Sequence, residues 1–279
     1  MNMERIKFLY ESNIEKITSI KKLSGGLSNE IYLINNFFLW KIFKNKYLFN
    51  HLSEKKIIEE STHLKLHYWD SDNICYTFIE GDNIDNTFFK KNFDQVISLT
   101  KKYHELDIKI DNFWYDIIPK WLGILPDTHL SFTTKKELLN KYQEINKTLI
   151  EYNNEKVVVC HHDIHSGNII KKHDNNLELI DLEFSFLNYY FVDLGNIICE
   201  YYTNYDLETY NYQLIDDDII VKTLELYDKE ITERNIKQIM LGIKISHYYW
   251  CLWGLIIDLN GGETNFNYKK FAKERYHYL

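Results

Sequence analysis

The sequence predicts an α+β fold in two lobes, with a small antiparallel-sheet N-terminal lobe over residues 1–82 and a larger, mainly helical C-terminal lobe over residues 83–279. Strand-like apolar runs separated by turn residues fill the first part of the chain. Glu80-Gly81-Asp82-Asn83 then supplies a loop where the chain can hinge. From Phe88 onward helical periodicity takes over.

In order along the chain, Ile31–Ile34 and Phe37–Phe43 read as strands joined by Asn35-Asn36, a pair that tolerates the backbone a tight hairpin needs. Phe49–Ser61 reads as a helix and Tyr76–Ile79 as a further strand. Phe93, Val96, Ile97, Leu99, Thr100 and Tyr103 form a broad helical stripe that ends near His104-Glu105-Leu106-Asp107. Val157–Cys160 and Leu177–Ile180 are short strands, and polar Lys171–Asn176 makes a hairpin connection between Ile169-Ile170 and the second of them. The stretch from Asp206 to Lys244 holds helices without recognisable chemistry, and its Asp216-Asp217-Asp218 reads as a helix start rather than a metal site. Ser246–Gly254 has helical spacing, which puts Trp250 and Trp253 on one face; such stripes are usually core.

At 279 residues the chain is long enough for one large domain or two modest lobes. Aromatic content of 16%, from 22 Tyr, 16 Phe and 6 Trp, is high for a soluble protein and calls for a reason. The formal charge of -8 argues against a broad nucleic-acid surface and suits a small cationic partner. Cys75, Cys160, Cys199 and Cys251 are scattered without a CxxC pair, so neither a disulfide framework nor a cysteine-rich zinc site is expected, and a reducing compartment is. Met1–Asn13 lacks an apolar signal core. The longest apolar stretch, Tyr248–Ile257, is about half the ~20 residues that cross a bilayer, so no transmembrane segment is expected and the location reads as cytoplasmic.

His161-His162-Asp163-Ile164-His165-Ser166-Gly167-Asn168, followed by Ile180-Asp181-Leu182-Glu183, carries the chemistry. An ordinary turn could use the same residues, but the flanking strands put both acids at strand ends, as a phosphoryl-transfer site requires. Asp163 can accept a hydrogen bond from a substrate hydroxyl, while the Asn168 amide oxygen and the Asp181 carboxylate are hard ligands suited to Mg²⁺ beside ATP phosphates. If the strand continues past Ile180, Asp181 and Glu183 share one face, and Glu183 either joins the metal or orients Asp181. Asp193, in Asp193-Leu194-Gly195-Asn196, is expected to anchor the loop through backbone hydrogen bonds. Zinc is disfavoured because His161 and His162, adjacent in extended chain, point to opposite sides.

On the phosphate side, Ser24, Gly25, Gly26, Leu27, Ser28 and Asn29 form a glycine turn before the first strong strand, where backbone N–H groups can face ATP phosphates; a structural turn would use the same glycines. It does not match the Walker pattern. Lys41, between apolar neighbours on the next strand, is placed to reach phosphates, with Glu54 as its ion-pair partner. The alternative is a surface lysine.

Taken together, the Ser24–Asn29 turn, the HHDIHSGN loop, the run from Ile180 to Asn196 and SHYYWCLWG with a following FxY resemble the choline/ethanolamine kinase family, within the wider aminoglycoside phosphotransferase and protein-kinase-like fold. The resemblance covers most of the chain from Leu23 to Arg275, weakest between Asp206 and Lys244. It implies Asp163 as catalytic base, Asn168 and Asp181 as Mg²⁺ ligands, and Lys41 with Glu54 positioning ATP. It further implies an acceptor pocket of Glu200, Tyr205, Trp250, Trp253 and Tyr268, with Phe271 where the family often has tyrosine. Aromatic faces and a nearby carboxylate are natural receptors for a quaternary ammonium, choline being a standard example. Lys41 stands where many members have arginine. The implied activity is ATP- and Mg²⁺-dependent phosphorylation of a small cationic amino-alcohol, choline or ethanolamine, for phospholipid-headgroup synthesis. A homodimer is left open, as are an aminoglycoside or other small-molecule acceptor and a kinase-like binding module without activity.

Overall fold

The computed structural model describes residues 3–23, 29–48, 51–61, 64–205, 209–261 and 266–279. The glycine turn Ser24–Ser28 predicted to face phosphates lies outside them. The chain divides into two compact units, Met1–Glu80 and Gly81–Leu279.

The first unit opens with helix α1 (Met3–Asn13), followed by strands β1 (Ile20–Leu23), β2 (Asn29–Ile34) and β3 (Phe38–Phe43), helix α2 (Leu52–Glu60), and strands β4 (Leu66–Trp69) and β5 (Asn73–Thr77). The strands form one antiparallel sheet in the order β1-β2-β3-β5-β4. Asn35 and Asn36 make the β2–β3 turn at φ 53° and 56°, the left-handed region that asparagine tolerates. Alternation along β3 sorts its side chains. Phe38, Trp40 and Ile42 enter a core with Ile6, Tyr10, Tyr32 and Ile34, so Lys41 and Phe43 fall on the other face. The strand predicted at Tyr76–Ile79 begins earlier, at Asn73, because Asn73–Thr77 pairs with β3 residue by residue.

The second unit starts with β6 (Asp82–Asn83), α3 (Asn86–Lys91), α4 (Phe93–Tyr103) and, after a π-helical turn at Phe113–Ile117, α5 (Ile118–Ile124). A short hairpin, β7 (His129–Leu130) and β8 (Thr133–Thr134), leads into α6 (Lys135–Leu149), whose N-terminus carries a capping box between Thr134 and Glu137. Then come β9 (Val157–Cys160), β10 (Ile169–Lys171), β11 (Leu177–Leu179) and β12 (Phe186–Tyr189). Helix α7 (Tyr190–Tyr201), the β13 (Thr203–Asn204) and β14 (Thr209–Tyr210) hairpin, α8 (Asp217–Leu226), α9 (Glu233–Leu259) and α10 (Tyr268–Tyr276) complete it.

Strands β10 and β11 form the hairpin expected at Lys171–Asn176, with β6 on the free edge of β10, and β12 pairs with β9. Gly81, at φ 154°, lies where a Cβ would fall 2.5 Å from the Lys171 carbonyl oxygen, so this entry to β6 requires glycine. Asp216 caps α8, its carboxylate accepting from the Ile219 N–H at 3.1 Å, as the helix-start reading requires. Helices α7 and α9 cross where Gly195 meets Gly242, and a Cβ on Gly242 would stand 1.9 Å from the Phe191 carbonyl oxygen. Among the described residues no helix is long and apolar enough to cross a membrane.

Candidate active site

Strand β9 ends at Cys160 and delivers a loop that is held from both ends. Its carboxylate anchor is Asp193, fully buried on α7, which accepts from the His161 N–H at 2.8 Å, the His162 N–H at 2.7 Å and His104 Nε2 at 2.9 Å. Burial alone pushes the Asp193 carboxyl up, but His104 and these N–H donors hold it below its ordinary range. The anchoring role expected of Asp193 is thus present, and His104, itself bonded to the Tyr227 hydroxyl at 2.8 Å, braces the anchor from behind.

The clamp forces His162 to φ 64°, an uncommon state for a bulky residue and one that survives only when its surroundings over-determine it. They do. His162 Nδ1 donates to the Phe184 carbonyl and Nε2 accepts from Asn188 Nδ2, each at 2.9 Å. Burial pushes His162 down to about 4, so a neutral ring with one donor and one acceptor suits both partners. His161 donates from Nε2 to the Ile180 carbonyl at 2.9 Å, and its Nδ1 accepts from the Asp163 N–H at 3.3 Å. All four ring nitrogens are taken up by hydrogen bonds to the backbone and Asn188, which argues against zinc ligation by this pair. Three buried side chains, His104, Cys160 and Asp193, do place potential ligand atoms within 4.8 Å of one another. Their hydrogen bonds to Tyr227, the Tyr189 carbonyl and the loop already account for them.

Asp163 follows His162 with 16% of its side chain exposed. Asn168, at the end of a single 3₁₀ turn, gives both amide hydrogens to it: Nδ2 lies 2.7 Å from Asp163 Oδ2 and 3.0 Å from the Asp163 carbonyl oxygen. This leaves the Asn168 Oδ1 as the acceptor end of the amide. His165 Nδ1 accepts from the Gly167 N–H at 3.1 Å, which turns Nε2 toward Asp163 Oδ2 at 3.8 Å. Burial pushes the Asp163 carboxyl up to about 6; Glu200 and Asp181 add to this, while His165 and Asn168 oppose it.

Asp181 is tied to the same loop by one peptide. The Ile180 N–H donates to the Asn168 carbonyl at 3.0 Å and the Ile180 carbonyl accepts from His161. The next residue, Asp181, turns into the left-handed region at φ 60°, and Leu182–Phe184 forms a 3₁₀ turn. The condition for Asp181 and Glu183 to share a strand face, a strand that continues past Ile180, is therefore not met. The ladder stops at Leu179, and the bend at Asp181 re-aims both carboxylates. Glu183 is buried, at 2% exposure.

The rings expected to receive a cation gather in the second unit. Trp250 and Trp253 on α9 meet edge to face at 5.3 Å, Trp253 meets Tyr268 at 5.4 Å, and Phe271 lies 6.3 Å from Trp250 and 6.0 Å from Trp253. Phe266 adds a ring 5.1 Å from Tyr268 and 5.4 Å from Phe271, and stands 6.4 Å from Tyr205. Tyr205 in turn lies 5.7 Å from the His165 ring, which links the cluster to the Asp163 loop. The Trp253 indole N–H is buried without a hydrogen-bond partner.

Glu200, fully within this region at the end of α7, does not stand alone. Its Oε1 pairs with Arg275 Nη2 at 2.6 Å and its Oε2 accepts from the Tyr205 hydroxyl at 2.8 Å. The Arg275 guanidinium is itself stacked over Tyr212 at 4.9 Å and Phe271 at 5.1 Å. Sequence reasoning assigns Arg275 no part, although Tyr268, Phe271 and Arg275 fall at helical spacing on one face of α10. His104 is likewise missed; it extends the buried α4 series Phe93, Val96, Ile97, Thr100 by one more turn.

In the first unit, Lys41 on β3 reaches Glu54 on α2 with Nζ to Oε1 at 3.0 Å, both side chains almost fully buried. His51, absent from the sequence reading, stacks on Phe43 at 3.7 Å and puts Nδ1 3.5 Å from Glu54 Oε2. The surface-lysine alternative is thereby excluded. Asn29 opens β2 with its side chain buried, Oδ1 accepting from the Lys44 N–H at 3.3 Å.

An antiparallel sheet with a lysine–glutamate pair, joined to a helical unit carrying an Asp-Asn loop and a following Asp, is the protein-kinase-like fold. Solved structures that share it include the ethanolamine kinase of Plasmodium vivax, at TM-score 0.76 and 17% identity over 98% of this chain and 88% of that one. The choline kinase LicA of Streptococcus pneumoniae follows at TM-score 0.75 and 18% identity, covering 99% and 97%. Among curated relatives, a probable ethanolamine kinase A of Dictyostelium discoideum is 26% identical over 96% of this chain and 86% of its own length. A choline/ethanolamine kinase of Rattus norvegicus is 27% identical over 57% of this chain, a match spanning about half (47%) of the rat protein. The pattern that defines the choline/ethanolamine kinases matches residues 20–279, and the chain belongs to that family.

Proposed function

We propose that the protein transfers the γ-phosphoryl group of ATP to the hydroxyl of choline, giving phosphocholine, as a cytoplasmic enzyme. One observation carries the reading: the Asp163 carboxyl sits in the same unit as a ring cluster whose neighbouring carboxylate already has partners on both oxygens. A trimethylammonium group donates no N–H bond, so it asks only for aromatic faces and a diffuse negative field, each ring contributing about 0.5–2 kcal/mol. The AMP complex of LicA supports nucleotide use by analogy of fold.

In this reading Asp163 accepts the hydroxyl proton as the alcohol oxygen bonds to the γ-phosphorus and the bond to the β–γ bridging oxygen breaks, releasing ADP. Asn168 holds the Asp163 carboxylate in the orientation that receives the proton. Lys41, fixed by Glu54, and the Ser24–Asn29 turn are assigned to the ATP phosphates. The donor set suits Mg²⁺: the Asn168 Oδ1, freed because both amide hydrogens go to Asp163, and the Asp181 carboxylate are hard oxygens, with Glu183 as the further candidate. Bound there, the ion would neutralise phosphate charge. Tyr268, Phe271, Trp250, Trp253 and Tyr205 are assigned to the headgroup, with Glu200 supplying charge through its paired carboxylate.

Ethanolamine is the second reading, favoured by the Dictyostelium relative, which matches nearly the whole chain. A primary ammonium needs N–H acceptors, and Glu200, with Arg275 already on one oxygen and Tyr205 on the other, has only its remaining lone pairs to give. A phosphorylation assay with choline, ethanolamine and an aminoglycoside at equal concentration tests the proposal. Choline is expected to be used with the highest kcat/KM; a tenfold or greater preference for either rival, or no ATP consumption with any alcohol, overturns it.

A further inference from the structure

We propose that Asn196 is a positioning residue that couples the acceptor-site indole of Trp250 to the backbone on both sides of Asp163. Asn196 is fully buried on α7, one turn after Asp193. Its Oδ1 accepts from Trp250 Nε1 at 3.0 Å and from the Ser246 hydroxyl at 3.3 Å, and lies 2.8 Å from the Tyr249 hydroxyl. Its Nδ2 donates to the Ile164 carbonyl at 3.5 Å. The amide cannot be turned over without loss, because an indole N–H is only a donor and requires the oxygen on its side.

Tyr249 reaches the other flank of Asp163, its one hydroxyl hydrogen shared between the His162 carbonyl oxygen at 2.6 Å and Asn196 Oδ1 at 2.8 Å. Helix α7 therefore grips the loop twice. Asp193 holds the N–H groups before Asp163, and Asn196 with Tyr249 holds the carbonyls of His162 and Ile164 around it. Trp250 also belongs to the ring cluster, and the Tyr249 ring lies 5.3 Å from it. A headgroup pressing on the Trp250 ring thus bears on the segment that aims the base, through the buried Asn196 amide and the adjoining Tyr249. Position errors of this kind are costly, since a misplacement of about 1 Å lowers turnover about a hundredfold.

The inference rests on the proposed phosphoryl transfer for its kinetic readout, so a second readout is needed that works without turnover. In the full-length protein, Asn196→Ala is expected to raise the acceptor KM and lower kcat by about tenfold each, with the KM for ATP within about twofold of the parent. Tyr249→Phe, a milder change, is expected to lower kcat by about threefold or more, and its effect should vanish in the Asn196→Ala background, as coupled residues do. Equal changes in the ATP and acceptor constants, or additive effects in the double variant, overturn the coupling. If Asn196→Ala does not fold, an unchanged kcat in Tyr249→Phe is the overturning result. Independently, ¹⁵N-tryptophan spectra should show the Trp250 indole signal shifted in Tyr249→Phe; an unmoved signal counts against the proposal whether or not any alcohol is phosphorylated.

Discussion

Asp163 is a carboxyl whose working form is the harder one to keep. Because burial pushes it up to about 6, the ionised form that the proposed base role needs is lost as pH falls through that value. The acceptor kcat/KM is therefore expected to show an acid limb near pH 6, falling about tenfold for each further unit below it. A pH–rate profile without a limb between pH 5 and about 7 would contradict this assignment of the base. Asp163→Ala should remove nearly all turnover while leaving the thermal midpoint close to that of the parent. At Glu200 the issue is stability. Replacing Arg275 by Met leaves a buried carboxylate with only Tyr205 as partner, an expected cost of about 3–5 kcal/mol in urea unfolding. Adding Glu200→Gln to that variant should recover part of the loss.

At the scale of elements, the crossing of α7 and α9 sets the spacing between the loop anchors and the aromatic face. Gly242→Ala would drive a methyl group into the Phe191 carbonyl, backbone against backbone, with no flexible side chain to yield. Its expected destabilisation is about 1–3 kcal/mol, seen as a lowered thermal midpoint, and acceptor KM should rise with it. The elements best read from sequence were those with a local cause: the Asn35-Asn36 hairpin, the β10–β11 hairpin, the Asp216 cap. The end of β11 falls one residue before the Ile180 read from sequence, and Leu-Glu-Leu-Ile-Asp-Leu-Glu alternates well enough to have left a continuation open. What stops it is the Ile180 peptide, whose hydrogen bonds go to the distant residues His161 and Asn168. Strand β5 starts earlier than expected for a similar reason, since its register is set by β3.

For the whole molecule, the residues proposed to touch substrate were named from sequence alone, whereas most of those that hold them were not. Asp163, Asn168, Asp181 and the two tryptophans announce themselves by type and spacing. Arg275, His104 and Asn196 act by contacts tens of residues away in sequence, and only folding reveals their partners. Both sets lie within residues 20–279, the span of the family match.

The four thiols have a practical consequence. Cys75 lies in the first unit and Cys160, Cys199 and Cys251 in the second, each wholly inaccessible. A maleimide or disulfide reagent should find nothing to modify in the native protein, and catalysis should survive prolonged exposure to it without added reductant. Under rising denaturant, the moment at which peptide mapping first finds Cys75 alkylated, against the moment for the other three, will time the opening of each part separately.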